Sequence, residues 1–113
     1  MSSATSKESD MAIVVVATLI PVPAHRDEVI AALETTGAKV HADDGTLLYA
    51  LHEGRDGRLV MIEKYADRDA LRAHGQSAEL AELGAALEGK LTMPMDVQVL
   101  TPHPAGSAAK GTL

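Results

Sequence analysis

Cysteine, tryptophan and phenylalanine are all missing, and two tyrosines make up the whole aromatic complement. Without cysteine there is no disulfide and no thiolate chemistry, which excludes the stapled scaffold of small secreted domains. Only 2% of residues are aromatic against 46% hydrophobic, so the core has to be built from Val, Leu, Ile, Met and Ala. Basic charge is short as well. Ten Lys and Arg stand against sixteen Asp and Glu, a formal net charge of −6. No basic cluster is present to neutralise phosphates or to hold an anionic bilayer, so neither nucleic acid nor membrane is an expected partner. Gly-rich phosphate loops, dinucleotide fingerprints and nucleophile motifs are also lacking, which leaves flavin and nicotinamide without support. A metal site needs three or four converging ligands, and His41 with Asp43 and Asp44 has no recognised ligand spacing. The expectation is a protein with no cofactor and no metal. One apolar run, MAIVVVATLIPVPA, has the look of a secretory signal. It is dense in β-branched Val, however, and Glu8 and Asp10 precede it where a signal carries positive charge. It reads as a buried strand, and the protein as cytoplasmic.

A chain of 113 residues holds one domain with one modest core. Residues 1–10 are small and polar and are expected to be disordered, as is the aperiodic tail 103–113, leaving a folded unit over residues 11–102. The first strand runs from Ile13 to Ile20 and is ended by Pro21 and Pro23, which cannot donate to a sheet ladder. A helix from about Ala24 to His41 follows, with Val29 or Ile30, Leu33, Gly37 and Val40 at helical spacing and Asp27 and Glu28 in its first turns. Asp43-Asp44-Gly45 is a turn signal. Strand two, TLLYALH, leads through the Gly54–Gly57 loop to strand three, Leu59 to Tyr65. Asp67 can cap a short helix through His74; Gly75 interrupts it, and Ser77 restarts a segment with Leu80, Leu83 and Leu87 on one face. MDVQVL closes the fold as strand four. The order β-α-β-β-α-β predicts an α+β, ferredoxin-like fold.

An antiparallel sheet with helices on one side and water on the other alternates apolar and polar residues. Strands one and two do not. Ile13, Val15, Ala17 and Leu19 oppose Val14, Val16 and Ile20; Leu47, Tyr49 and Leu51 oppose Leu48 and Ala50. Helices suffice to cover one face only, so a second copy of the sheet is expected on the other. The prediction is an obligate two-fold homodimer, an α/β barrel of two antiparallel sheets packed face to face.

The few groups able to do chemistry converge on LVMIEKYADRDALRAH. Strand residues two apart share a face, so Leu59, Met61, Glu63 and Tyr65 point together. On the following helix Ala70, Leu71 and His74 lie at i, i+3 and i+4 spacing, which turns the histidine to the apolar, sheet-facing side. Seven helical steps from Asp67 to His74 rise about 10 Å, matching the distance covered going back along the strand from Tyr65. His74 can therefore pass near Glu63. A carboxylate there would orient the ring, favour its charged form, or leave it poised as a base. A buried Glu–His pair equally ties a helix to a sheet with no chemistry implied, and spacing alone does not choose between the two. The tyrosines, Tyr49 and Tyr65, are natural neighbours for a flat aromatic ligand. Met61 and Leu71 are the apolar candidates for its pocket, with His52 at the end of strand two and His41 at a helix C-terminus as candidates for its margin.

At these residues the chain resembles the antibiotic biosynthesis monooxygenase (ABM) domain family, and within it the small actinobacterial proteins assigned as quinol monooxygenases. The matching segments are IVVVATLIPVP with the next helix, HADDGTLLYALHE, LVMIEKYADRDALRAH, and SAELAELGAALEGKL with strand four, together about Ala12 to Pro102. The family pattern has a turn before a strand bearing Tyr, an apolar strand ending Glu-x-aromatic, and a helix ending Ala-His. Here Tyr49, Glu63, Tyr65 and Ala73-His74 occupy those places. Asp43-Asp44-Gly45 lacks the family's Pro, and Tyr65 stands where Trp is common. A haem-degrading branch shares the fold but uses a strand-one Asn, that Trp and a later His. This chain has Ala17 and Thr18 on strand one and no His on its last helix, so haem is not expected. The resemblance implies oxygenation of a quinol or phenolic polycycle by O2 without cofactor. His74 would be base or proton shuttle, Glu63 its orienting partner, and Tyr65 and Tyr49 the residues that position substrate. A second reading is a non-catalytic dimer that binds a small apolar aromatic ligand or protects the cell from one.

Overall fold

The run of β-branched residues Ile13–Leu19 forms strand β1 of the computed structural model, which describes residues 12–113. The expectation for the tail 1–10 falls outside those residues. A single 3₁₀ turn, Pro23–His25, leads into helix α1, Arg26–Val40. Strands β2, Thr46–Glu53, and β3, Leu59–Tyr65, form a hairpin. Helices α2, Arg68–Gly75, and α3, Ala78–Leu87, precede strand β4, Asp96–Leu100. The four strands lie in the order β2-β3-β1-β4, each pair antiparallel. This is the ferredoxin-like arrangement, with its second helical segment broken in two. Beyond β4 the chain has neither helix nor strand.

The breaks follow from capping chemistry. The Asp67 carboxylate accepts from the Ala70 amide at 2.8 Å and starts α2. Ser77 does the same for α3 by accepting from the Leu80 amide, and its hydroxyl donates to the His74 carbonyl at 2.7 Å. One serine thus closes α2, opens α3 and holds the backbone of His74. Gly45 has a different role. A Cβ there would come within 2.6 Å of Ala70 Cβ, so only glycine lets the turn before β2 lie against α2, where its carbonyl accepts from the Ala66 amide.

Register decides which side chains meet the helices. Val15 pairs with Glu63, Ala17 with Met61 and Leu19 with Leu59, while Tyr49 and Leu51 pair with Glu63 and Met61 from the other side. Paired residues share a face. That face packs on Val29, Leu33 and Val40 of α1 and on Leu83 and Leu87 of α3. Each fully buried Leu or Val contributes about 1.5–3 kcal/mol. A register shift between Thr46 and Leu48 leaves Leu47 as the extra residue of a bulge, 55% exposed. Leu47 therefore does not join Tyr49 and Leu51 under the helices as simple alternation expects. No helix of the described residues is long and apolar enough to cross a membrane.

Candidate functional site

Between the sheet and the helices lies an apolar cavity of about 90 Å³. Its walls come from Val15, Ala17 and Leu19 of β1, Leu33 of α1, Leu80 and Leu83 of α3, and Met95 and Val97 at β4. Tyr49, Met61, Glu63 and His74 complete it and supply its polar groups. Strand register accounts for this clustering. Glu63 sits in the ladder between Tyr49 of β2 and Val15 of β1, so it lies mid-sheet beneath α2.

Glu63 is only 5% exposed, and its Oε1 accepts a 2.6 Å hydrogen bond from the Tyr65 hydroxyl. His74 Nε2 stands 3.8 Å from the same oxygen, close enough for charge interaction but too long for a hydrogen bond. The imidazole lies between two phenol rings, with centroids 5.1 Å from Tyr65 and 5.6 Å from Tyr49. Burial pushes the Glu63 carboxyl above the usual carboxylate range, an effect that the Tyr65 hydrogen bond partly opposes. Burial also pulls His74 below the ordinary imidazole value, against the fields of Asp43 and Glu79. Both tyrosines are driven up, chiefly by desolvation, and remain protonated donors at neutral pH. The result is a neutral imidazole, able to accept a proton, beside a carboxyl whose negative charge is expensive. Such a group can take a proton from a buried ligand and share the resulting charge with Glu63.

The expected site residues separate into two sets. Tyr49, Met61, Glu63 and His74 come together at the cavity. Tyr65 joins the cluster but is fully buried behind it and does not line the cavity; its hydroxyl is tied to Glu63 instead. Leu71 is half-buried on α2 and lies outside the lining. His52 pairs with Val60, which register puts on the sheet face away from the helices, and there it is exposed and bonded to the Ala50 carbonyl. His41 is exposed behind Tyr49, with Nε2 2.9 Å from the Tyr49 carbonyl, and steadies that strand from outside the cavity. Alternation on β1, which turns Val15, Ala17 and Leu19 to one face, was the signal for the wall residues not singled out from sequence. Nothing in local spacing marked Met95, Val97, Asp43 or Glu79. Among the described residues no group of three or more His, Asp or Glu converges as a metal would require.

Comparison with known proteins identifies the family. The family model described as "Antibiotic biosynthesis monooxygenase" matches residues 12–86. A Mycobacterium tuberculosis protein named "Putative monooxygenase Rv0793" is 35% identical over 97 residues, which covers 85% of this chain and 96% of that protein. Its solved structure superposes with a TM-score of 0.80 at 34% identity, over 85% of this chain and 99% of that one. A crystal structure from Caulobacter crescentus CB15, described as a "putative antibiotic biosynthesis monooxygenase", gives a TM-score of 0.77 at 28% identity over 86% of this chain and 96% of its own.

Proposed function

This chain belongs to the antibiotic biosynthesis monooxygenase family, and from that premise we propose that it oxygenates a quinol or phenolic aromatic with O2, without metal or flavin. The observation that carries the reading is the nine-tenths-buried His74 at the wall of an apolar cavity, with Glu63 3.8 Å away. The substrate supplies two hydrogens and the electrons. One oxygen atom stays on the organic skeleton and the other leaves as water, so no external reductant is needed. His74 takes the hydroxyl proton, and the electron-rich anion passes an electron to O2. A phenolic hydroxyl has a pKa of about 10, well above an imidazole held below about 6.5, so free proton transfer is uphill. Protein must lower that cost in two ways. The Tyr49 hydroxyl, kept protonated by burial, can donate to the developing oxyanion. Glu63, fixed by Tyr65, balances the imidazolium.

Assembly belongs to the same proposal. Val97 and Val99 point to the helix side by register, yet they are 47% and 59% exposed, and Met93 and Leu100 are exposed beside them. A second copy of the chain, packed about a two-fold axis, would cover this edge and the outer-face residues left half-buried, Val16, Leu48, Ala50 and Ile62. The direct test is oxygen uptake with a panel of quinols and naphthols. The expected result is uptake and oxygenated product well above the spontaneous rate. Uptake equal to the protein-free control for every substrate, with aromatics still binding, would favour the non-catalytic reading.

A further inference from the structure

His74 walls two spaces. Besides the inner cavity, it lines a cleft of about 470 Å³ between the 42–46 turn, α2 and the start of α3, where Asp43, Asp44, Ser77 and Glu79 also form the walls. The two spaces differ in character. The inner one is apolar apart from Tyr49, Glu63 and His74 itself, whereas the outer one carries three carboxylates. His74 is the one residue common to both linings, and it is 8% exposed.

The bonding of that ring is unusual. A histidine retained to tie a helix to a sheet spends its nitrogens on hydrogen bonds. Here Nε2 is 3.8 Å from its nearest carboxylate, and Nδ1 is the one buried side-chain polar atom among the described residues that has no partner. Leaving a buried polar atom unpaired costs about 1–3 kcal/mol. An atom that must exchange its proton during turnover has reason to remain free of a permanent bond.

We propose that His74 is a proton port: it takes a proton at Nε2 from a ligand in the inner cavity and releases one from Nδ1 into the acidic cleft, with Asp43 and Glu79 as positioning residues that stabilise the transient imidazolium. The inference rests on the oxygenase reading for the identity of the proton donor. In the forward step the substrate O–H bond breaks, an Nε2–H bond forms, and the Nδ1 proton, shielded in the resting fold, passes to water that enters from the cleft. The overall oxygenation consumes no net proton, so a proton must return when the oxygen–oxygen bond breaks and water forms. The same route run backwards delivers it and restores the starting tautomer. The groups whose charge or ring bears on His74 are Glu63 and Tyr65 from β3, Tyr49 from β2, Asp43 from the turn and Glu79 from α3. Of these, Asp43 and Glu79 border the outer cleft, and their fields favour the charged ring. Gly45, by letting that turn lie on α2, brings Asp43 to its place.

The test uses the full chain, ¹⁵N-labelled at histidine. It measures exchange of the His74 ring proton with water in wild type, Asp43→Asn, Glu79→Gln and the double variant, with Asp44→Asn as control. Asp43 is exposed and Glu79 half-buried, so the single variants retain the fold and stand in if the double variant does not. The port requires exchange to slow about tenfold in the double variant, part of the 10²–10⁴ that positioned proton transfer contributes, and to recover when acetate is added. It also requires the His74 titration to move to lower pH. Unchanged exchange in a folded variant, or an equal loss in Asp44→Asn, overturns the port. Quinol turnover is scored separately. Exchange that responds in a protein without turnover sinks the oxygenase reading and keeps the port, and turnover with unresponsive exchange does the reverse.

Discussion

β3 and β4 flank the same strand, β1, yet β3 buries every second residue and β4 buries none. Both present alternate side chains to the helix side: Leu59, Met61, Glu63 and Tyr65 on one, Val97 and Val99 on the other. Cover makes the difference. α2 packs on β3, and α1 and α3 close over the adjoining core, while the helix-side face of β4 remains open. A strand's pattern thus sets the direction of its side chains, and its place in the sheet sets how much water they lose. The covered side can hold a carboxyl and an imidazole in a nearly dry setting, where their protonation is perturbed. The open side offers apolar area that a second copy can bury.

Substitutions can break or sharpen this contrast. The largest expected effect is on the covered strand, where Tyr65→Ala removes a fully buried ring and should cost about 3–5 kcal/mol in denaturant unfolding. Val99→Ala on the open strand should cost under about 0.5 kcal/mol within a protomer. Equal losses would erase the distinction between the strands. Next comes Val99→Asp, which puts a charge where a partner would bury it, at several kcal/mol of assembly free energy. Sedimentation should show dimer in wild type and folded monomer in the variant. A wild-type protein that stays monomeric at micromolar concentration would remove the dimer.

Tyr65→Phe is smaller, about 1–3 kcal/mol, because it leaves the Glu63 carboxyl without its donor. It should also raise the Glu63 titration further, which infrared detection of the carboxyl band can follow. The smallest effect concerns pH. A carboxyl whose folded pKa lies above its unfolded value stabilises the fold below about pH 4.5, and that stability is lost as pH rises through the folded value. Glu63→Gln removes the loss, so its stability relative to wild type should improve from pH 4 to pH 8. His74, depressed in the fold, has the opposite slope: stability falls as pH drops below about 6.5. A Glu63→Gln difference that does not vary with pH would show that the carboxyl is not perturbed.

Much of this was legible in the sequence, for physical reasons that differ by residue. Period-two alternation in LVMIEKY and the i, i+3, i+4 spacing of Ala70, Leu71 and His74 placed Glu63 and His74 on facing surfaces, and their side chains approach to 3.8 Å. Asp67 and Ser77 announced their caps. The bulge at Leu47 was hidden because one extra residue is invisible to local pattern and appears only when register with β3 is set. The burial of Tyr65 behind the cavity, the outward turn of His52 and the approach of Asp43 and Glu79 to His74 likewise depend on pairing and helix placement.

The central claim is that His74 moves a proton, not merely that it fills space beside Glu63. Steady-state oxygen uptake by His74→Ala, on a quinol that wild type oxidises and with unfolding followed on the same sample, tests this most directly. The account predicts a folded protein whose turnover is lower by about 10²–10⁴-fold, with substrate binding little changed. Wild-type turnover in a stable His74→Ala protein would contradict it.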